Sequence, residues 1–220
     1  GAHFEARFDM TTGTLYSLSY NGKKVITDGN GPKLDAFRAF TNNDNWFYSQ
    51  WFDRGLHNLK HKVMGSKTFQ GKNGTQVLSF TVESQAPHAA RILGGTSSGR
   101  NSIEELTDRL FGDDDFKFTT QQIWTVYKDG SIELEASITS NMANFIVPRL
   151  GYVMCVPQQL DQLTYYGRGP VENYADRKTG QFIAQYRSTV KEQFANFPKP
   201  QSMGNHEDVR WVSLTDGQQG

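Results

Sequence analysis

Between Phe116 and Ser140 the chain reads FKFTTQQIWTVYKDGSIELEASITS. Apolar and polar residues alternate on both sides of Lys128-Asp129-Gly130. A period of two sends successive side chains to opposite faces of an extended chain. An Asp-Gly pair at the break supplies a hairpin turn. A helix would scatter the same apolar residues around its circumference. The pattern recurs along the sequence. Phe4–Phe8 alternates as FEARF, and Leu15–Tyr20 and Lys23–Ile26 flank Asn21-Gly22. His61–Gln70 and Thr75–Ser84 flank a Gly-Lys-Asn-Gly turn. Gln162–Tyr166, Gln181–Tyr186 and Val209–Leu214 complete the set, and the apolar run Ile146–Pro157 reads as a strand of buried character that makes Cys155 a core thiol.

About ten strands at regular spacing predict an all-β protein, an antiparallel sandwich forming one domain over residues 1–220. Two short helices interrupt it. One is expected near Trp46–Leu56, inside an aperiodic loop that starts at Gly31. The other is expected in SIEELTDRLFG, where Ser102 and Glu105 have the spacing of a capping box. GGTSSGRNS before it reads as a flexible polar segment, and the acidic triplet at 113–115 as a solvated turn. Lys plus Arg and Asp plus Glu each number 23, for a formal net charge of zero. That balance argues against nucleic-acid binding, which needs a basic excess. No apolar run approaches the roughly 20 residues of a membrane span. A single cysteine excludes an intrachain disulfide. Aromatics reach 13%; they suit sheet packing first and sugar stacking second.

Three clusters could carry chemistry. In YYGRGPVENYADRKTG, Glu172 and Asp176 have the spacing of paired carboxylates such as glycosidases use. Arg168 and Arg177 stand close enough in sequence to turn them into ion pairs within the loop. Gly167, Gly169 and Pro170 shape its start. Asn42, Asn43, Asp44 and Asn45 form an oxygen-rich cluster beside Arg38 and Trp46 that suits either a cation or turn hydrogen bonds. His206, with Glu207, Asp208 and Arg210, offers a group that titrates near neutral pH. His57 and His61 are four apart, without a third ligand.

The stretches FDMTTGTLYSLSYNGKKVI, RAFTNNDN, VPRLGYVM, YYGRGPVENYADRKTG and FPKPQSMGNHEDVRW, in this order, resemble the C-terminal small-chain domain of the large bacterial β-galactosidases of glycoside hydrolase family 2. The resemblance spans nearly the whole chain. It implies a β-supersandwich of the galactose mutarotase kind. It implies a parent enzyme that hydrolyses terminal β-D-galactosides with retention, using magnesium and sodium. The family's catalytic carboxylates and magnesium ligands lie in a preceding (β/α)8 barrel. No catalytic, cofactor or metal residue therefore maps onto this chain, which is expected to be a fragment truncated before a GGDDSW-like segment. The expected partners are that barrel and the other domains of the parent, with the galactoside met only indirectly, and neither nucleic acid nor membrane. Arg168, Glu172, Asn173, Tyr174, Asp176 and Arg177, with His206 and Arg210, are expected to act as structural or sugar- and domain-contacting residues, as are Arg38, Asn43 and Asp44. The sequence departs from the family pattern at Phe40, Asn42, Ser202 and Met203. Two other readings stand beside this one. A carbohydrate-binding module would use exposed Trp46, Trp51 or Tyr174. A free-standing mutarotase-like epimerase would use His206 and Glu172. The compartment stays open between bacterial cytoplasm and periplasm.

Overall fold

Asn21 and Gly22 both take positive φ, 47° and 78°. That is the backbone of a tight hairpin, and few residue pairs other than Asn-Gly adopt it without strain. It joins strands β2 (Thr14–Tyr20) and β3 (Lys23–Lys24), and β2 pairs on its other side with β1 (Phe4–Asp9). The computed structural model describes residues 1–93, 102–198 and 201–218. The chain divides into two compact units, one of residues 1–38 and 44–155, the other of residues 39–43 and 156–220.

The first unit is a sandwich. Its larger sheet runs in the order β10-β9-β6-β5, from β5 (Lys60–Gln70), β6 (Gln76–Gln85), β9 (Phe118–Val126) and β10 (Ile132–Ser140), all antiparallel. The alternation in the sequence becomes the register of this sheet. Phe80 lies opposite Gln122, and Leu78 opposite Trp124. One face thus gathers Phe80, Val82 and Trp124, which close against Leu15 and Leu18 of β2 and against Ile26. Burying each large side chain contributes on the order of 2–3 kcal/mol. The Trp124 indole donates to the Gly13 carbonyl and to Gln122 Oε1, and stacks edge-on with Phe8 at 5.5 Å. The β9–β10 turn is held by Asp129, whose Oδ1 accepts from the Ser131 amide at 2.9 Å. Tyr20 reaches this turn from β2, donating to the Gly130 carbonyl at 2.6 Å.

Two small antiparallel pairs complete the first unit: β4 (Lys33–Asp35) with β11 (Gly151–Val153), and β7 (His88–Leu93) with β8 (Ser102–Leu110). A helix α1 (Tyr48–Asp53) buries Trp51 and Phe52, and a 3-10 turn at Leu56–Asn58 follows. The helix expected near Trp46–Leu56 is therefore present. The helix expected from Ser102 is not. That segment is β8, because its side chains find cross-strand partners instead of a capped turn. Glu104 pairs with Arg91, Ile103 lies opposite Ile92, and Glu105 sits between His57 at 3.0 Å and His88 at 3.3 Å. His61 goes elsewhere, bonding Ser84 at 2.9 Å. The polar stretch 94–101 lies outside the described residues.

Three further expectations fail. The run from Ile146 to Pro157 is a strand only over Gly151–Val153, and Ile146, Leu150 and Met154 are exposed. Cys155 is exposed as well. Its backbone is what the fold uses: the amide donates to Asn30 and the carbonyl accepts from Thr27. The return strand after Asn21-Gly22 is cut to two residues. Among the described residues no helix is long and apolar enough to cross a membrane.

The second unit holds a three-stranded antiparallel sheet, β13-β12-β14, from β12 (Gln162–Gly169), β13 (Phe182–Thr189) and β14 (Trp211–Thr215). β12 runs straight into the YYGRGPVENY motif, so Tyr165–Gly169 is strand rather than loop. Fourteen strands form among the described residues, and the fold is all-β and antiparallel.

Burial is the main reason that His61 stays neutral; its pKa falls to about 4, with Lys33 and Lys60 adding to the effect. An unfolded His titrates near 6.5. As pH falls from 6.5 towards about 4, the unfolded chain gains a proton that the folded one refuses. The first unit should therefore lose stability across that window, by on the order of 3 kcal/mol at most. Melting curves taken through the window should show the loss, and His61→Gln should flatten it. Phe80→Ala should cost about 3–5 kcal/mol at any pH.

Candidate functional site

Two glycines bring β12 close to its neighbours. A Cβ on Gly167 would lie 2.9 Å from Val209, and one on Gly169 would lie 2.3 Å from the Tyr165 hydroxyl and 2.9 Å from the Tyr186 ring. After Gly169 the peptide to Pro170 is cis. The chain then turns through Val171 to Tyr174, and the segment 202–208 folds over it.

Asn173 is the centre of this arrangement and is fully buried. Its side-chain amide donates to the carbonyls of Arg168 at 3.0 Å and Val171 at 3.1 Å, and its Oδ1 accepts from the Glu207 amide at 2.8 Å. Its backbone N–H donates to the Asn205 carbonyl, and its backbone carbonyl accepts from Asn205 Nδ2, both at 2.7 Å. A buried amide with all its groups matched is stabilising as a set and costly to break.

The charged residues pair around it. Arg177 reaches Glu172 Oε1 at 2.6 Å, while Glu172 Oε2 accepts from the Gly204 amide at 2.8 Å. Tyr174 donates to the Ser202 carbonyl at 3.2 Å and carries the Arg177 guanidinium over its ring at 5.2 Å. Arg168 bonds Asp208 at 2.7 Å and the Gln181 carbonyl at 2.9 Å. That bond, followed by the nearby charges of Lys178, Arg168 and Arg210, holds Asp208 below the usual carboxylate range. Arg210 donates to the Asp208 carbonyl and is exposed. Asp176 does not join the network. It is exposed, and Arg177 has turned to Glu172 instead.

His206 stacks on Tyr165 at 4.6 Å. Its Nδ1 lies 3.0 Å from the Arg168 carbonyl and its Nε2 lies 2.6 Å from Gln193 Oε1. Both ring nitrogens and both Glu172 oxygens are thus occupied by the protein itself. An acid–base pair working on a sugar would need them free. In the first unit, Arg38 clamps Asp44 through two hydrogen bonds at 2.7 and 2.8 Å and donates to the Pro148 carbonyl at 3.3 Å. Asn43 is exposed in the 3-10 turn Asn42–Asp44. Of the aromatic residues considered for sugar binding, Trp51 is buried, Tyr174 is half-buried and engaged, and Trp46 is 84% exposed. Among the described residues no group of three or more His, Cys, Asp or Glu side chains is placed to hold a metal ion.

Sequence reasoning missed Asp208 as the partner of Arg168, Gly204 and Asn205 as partners of the motif, and Gln193 as the partner of His206. These contacts join residues about 13–40 apart in sequence. Charge complementarity was the one clue to the Arg168–Asp208 pair, and it does not select among the acids of the chain.

Replacing Asn173 by Ala leaves the Val171 carbonyl and the Glu207 amide without this partner, each worth about 1–3 kcal/mol, and the Arg168 carbonyl with His206 Nδ1 alone. Asn173→Ala should destabilise the second unit by about 3 kcal/mol or more. Hydrogen exchange at the Glu207 amide should report it directly. Asp176→Ala should stay within about 0.5 kcal/mol of the parent sequence.

The family model described as "Beta galactosidase small chain" matches residues 1–219. Among curated proteins, a β-galactosidase of Priestia megaterium is 30% identical over 218 residues, which is 99% of this chain and 18% of that protein. A β-galactosidase of Halalkalibacterium halodurans is 26% identical over 98% of this chain and 19% of its own length. One from Kluyveromyces lactis is 26% identical over 97% of this chain and 18% of its own length. The chain thus spans about a fifth of the length of the relatives it matches. With a match from end to end, and with the GRGPVENY motif folded into a matched polar network, the chain belongs to the β-galactosidase small-chain family.

Proposed function

We propose that this chain is a non-catalytic domain of a larger β-galactosidase of glycoside hydrolase family 2, one that hydrolyses terminal β-D-galactosides. The span of the relatives carries the reading: nearly all of this chain aligns with about a fifth of each of three β-galactosidases. In this reading the domain packs beside the catalytic barrel, and magnesium and sodium belong with the barrel. The chemistry of the motif supports the same view. Glu172 and His206, the pair best suited to acid–base work, spend their polar atoms on Arg177, Gly204, Arg168 and Gln193. The surface supports it too. Trp46, Ile146 and Leu150 of the first unit are 84%, 57% and 48% exposed, and Phe182 and Val212 of the second are 76% and 58% exposed. Exposed apolar area of this kind marks surfaces that another body covers.

A chromogenic β-galactoside tests the proposal. The 220-residue chain alone should give no turnover above buffer. The longer enzyme carrying it should hydrolyse the same substrate, and should lose that activity with this region deleted. Turnover by the chain alone overturns the reading.

A further inference from the structure

Three Asn-Gly pairs stand in the sequence, at 21–22, 30–31 and 73–74. An asparagine before a glycine carries its own reagent. The glycine amide has no side chain to shield it, and it lies one peptide away from the asparagine carboxamide. The two meet only when the peptide between them swings out of its turn, so the fold decides which pair reacts.

Asn30-Gly31 is locked. Its peptide carbonyl accepts from the Cys155 amide at 2.8 Å, and the Asn30 carboxamide donates to the Asp28 carbonyl at 3.1 Å. Gly31 is buried, and a Cβ there would run into the Leu15 carbonyl oxygen. Asn21-Gly22 is exposed but tightly tethered. The pair Tyr20–Lys23 closes directly on it, and the Asn21 amide donates to the His3 carbonyl at 2.8 Å. Asn73-Gly74 sits in a longer turn, closed by the Gly71 amide on the Thr75 carbonyl at 2.9 Å. Asn73 is exposed, at φ 57° and ψ 21°, and among the described residues its side chain makes no hydrogen bond. Exposed turn tips of this kind open most readily.

A second feature sets this pair apart. A Cβ built on Gly74 would lie 2.8 Å from Lys128 Nζ, so the β9–β10 turn brings an ammonium beside this glycine. The same position on Gly22 has nothing within 4 Å apart from its chain neighbours. A glycine amide attacks as its anion, and a cation close by favours the charged form. Lys128 therefore assists the loss of the proton that arms the nucleophile.

We propose that Asn73-Gly74 is a site of spontaneous deamidation, promoted by Lys128, that converts the tip of the β5–β6 hairpin to aspartate and isoaspartate. The Gly74 amide gives its proton to water, and its nitrogen bonds to Asn73 Cγ. The Cγ–Nδ2 bond breaks, and ammonia leaves with a proton from solvent. Water then opens the five-membered imide at either of its carbonyls, and nothing is oxidised or reduced. The product sets a carboxylate beside the lysines of this turn. Its isoaspartate form, with one more methylene in the main chain, is the class of substrate that protein isoaspartate carboxyl methyltransferases take. The site lies in the first unit and is independent of any role in a larger hydrolase.

The test ages the full 220-residue chain in warm neutral buffer and maps its peptides by mass spectrometry at acidic pH. The peptide holding Asn73 should gain the mass of an amide-to-acid conversion before those holding Asn21 and Asn30. A carboxyl methyltransferase with a labelled methyl donor should then mark the same peptide. Lys128→Gln should slow the conversion roughly two- to fivefold, the worth of one unit charge at about 4 Å in water. Lys128 is exposed, so this variant should melt with the unsubstituted chain. Asn73→Gln should remove the signal from this peptide alone. In strong urea the three pairs should react at similar rates. Conversion at Asn21 or Asn30 ahead of Asn73 overturns the proposal. So does an unchanged rate in Lys128→Gln, or a lead for Asn73 that persists undiminished in urea.

Discussion

The second unit depends on a single amide sealed from water. Asn173 sits where the strand β12 has ended and no sheet ladder is left to satisfy the backbone. Its side chain takes over that task, bonding the carbonyls of Arg168 near the end of β12 and of Val171 beyond it, and one amide that arrives from residue 207. Asn is suited to this because it presents donors and an acceptor in one plane. Asp in its place would offer no donor, and Gln would push the amide past its partners. The ion pairs outside it, Glu172 with Arg177 and Arg168 with Asp208, are partly solvated. Such pairs contribute little on their own. They orient the loop, while Asn173 holds it.

The first unit is held by different means. There the determinant is a face of Phe80, Val82 and Trp124 closed by Leu15 and Leu18. Polar groups within it are few: the Trp124 indole donates to the Gly13 carbonyl, while the buried Thr120 hydroxyl has no hydrogen-bond partner among the described residues. One unit is organised by apolar area and the other by matched hydrogen bonds. The two should respond differently to change: cavities open in the first, and unpaired groups appear in the second.

The alternation of the sequence made most strands legible, because a period of two survives wherever one face of a sheet is covered. It was sharpest in β9 and β10 and at Asn21-Gly22, where local chemistry and the fold agree. It misled at Ser102–Leu110, where a capping pattern competes with cross-strand pairing. Only the presence of His57, His88 and Arg91 nearby decides for the strand. It misled again at Cys155, since an apolar run does not say whether anything packs on it. In the motif, the pairing of Glu172 with Arg177 was legible, while Asp176, expected beside them, stays outside the network, and the partners from 193 to 208 were not legible. Pairing between distant segments depends on topology, which a single sequence does not print.

The bare backbone of β12 at Gly167 carries an evolutionary consequence. Where a strand gives up its side chain so that the chain at Val209 can rest against it, the glycine answers to a neighbouring main chain. A larger residue at 167 would meet the Val209 Cα as closely as its methyl group, so trimming position 209 does not make room for it. Drift at this crossing should therefore be confined to position 209, with glycine kept at 167 by the main chain that passes over it.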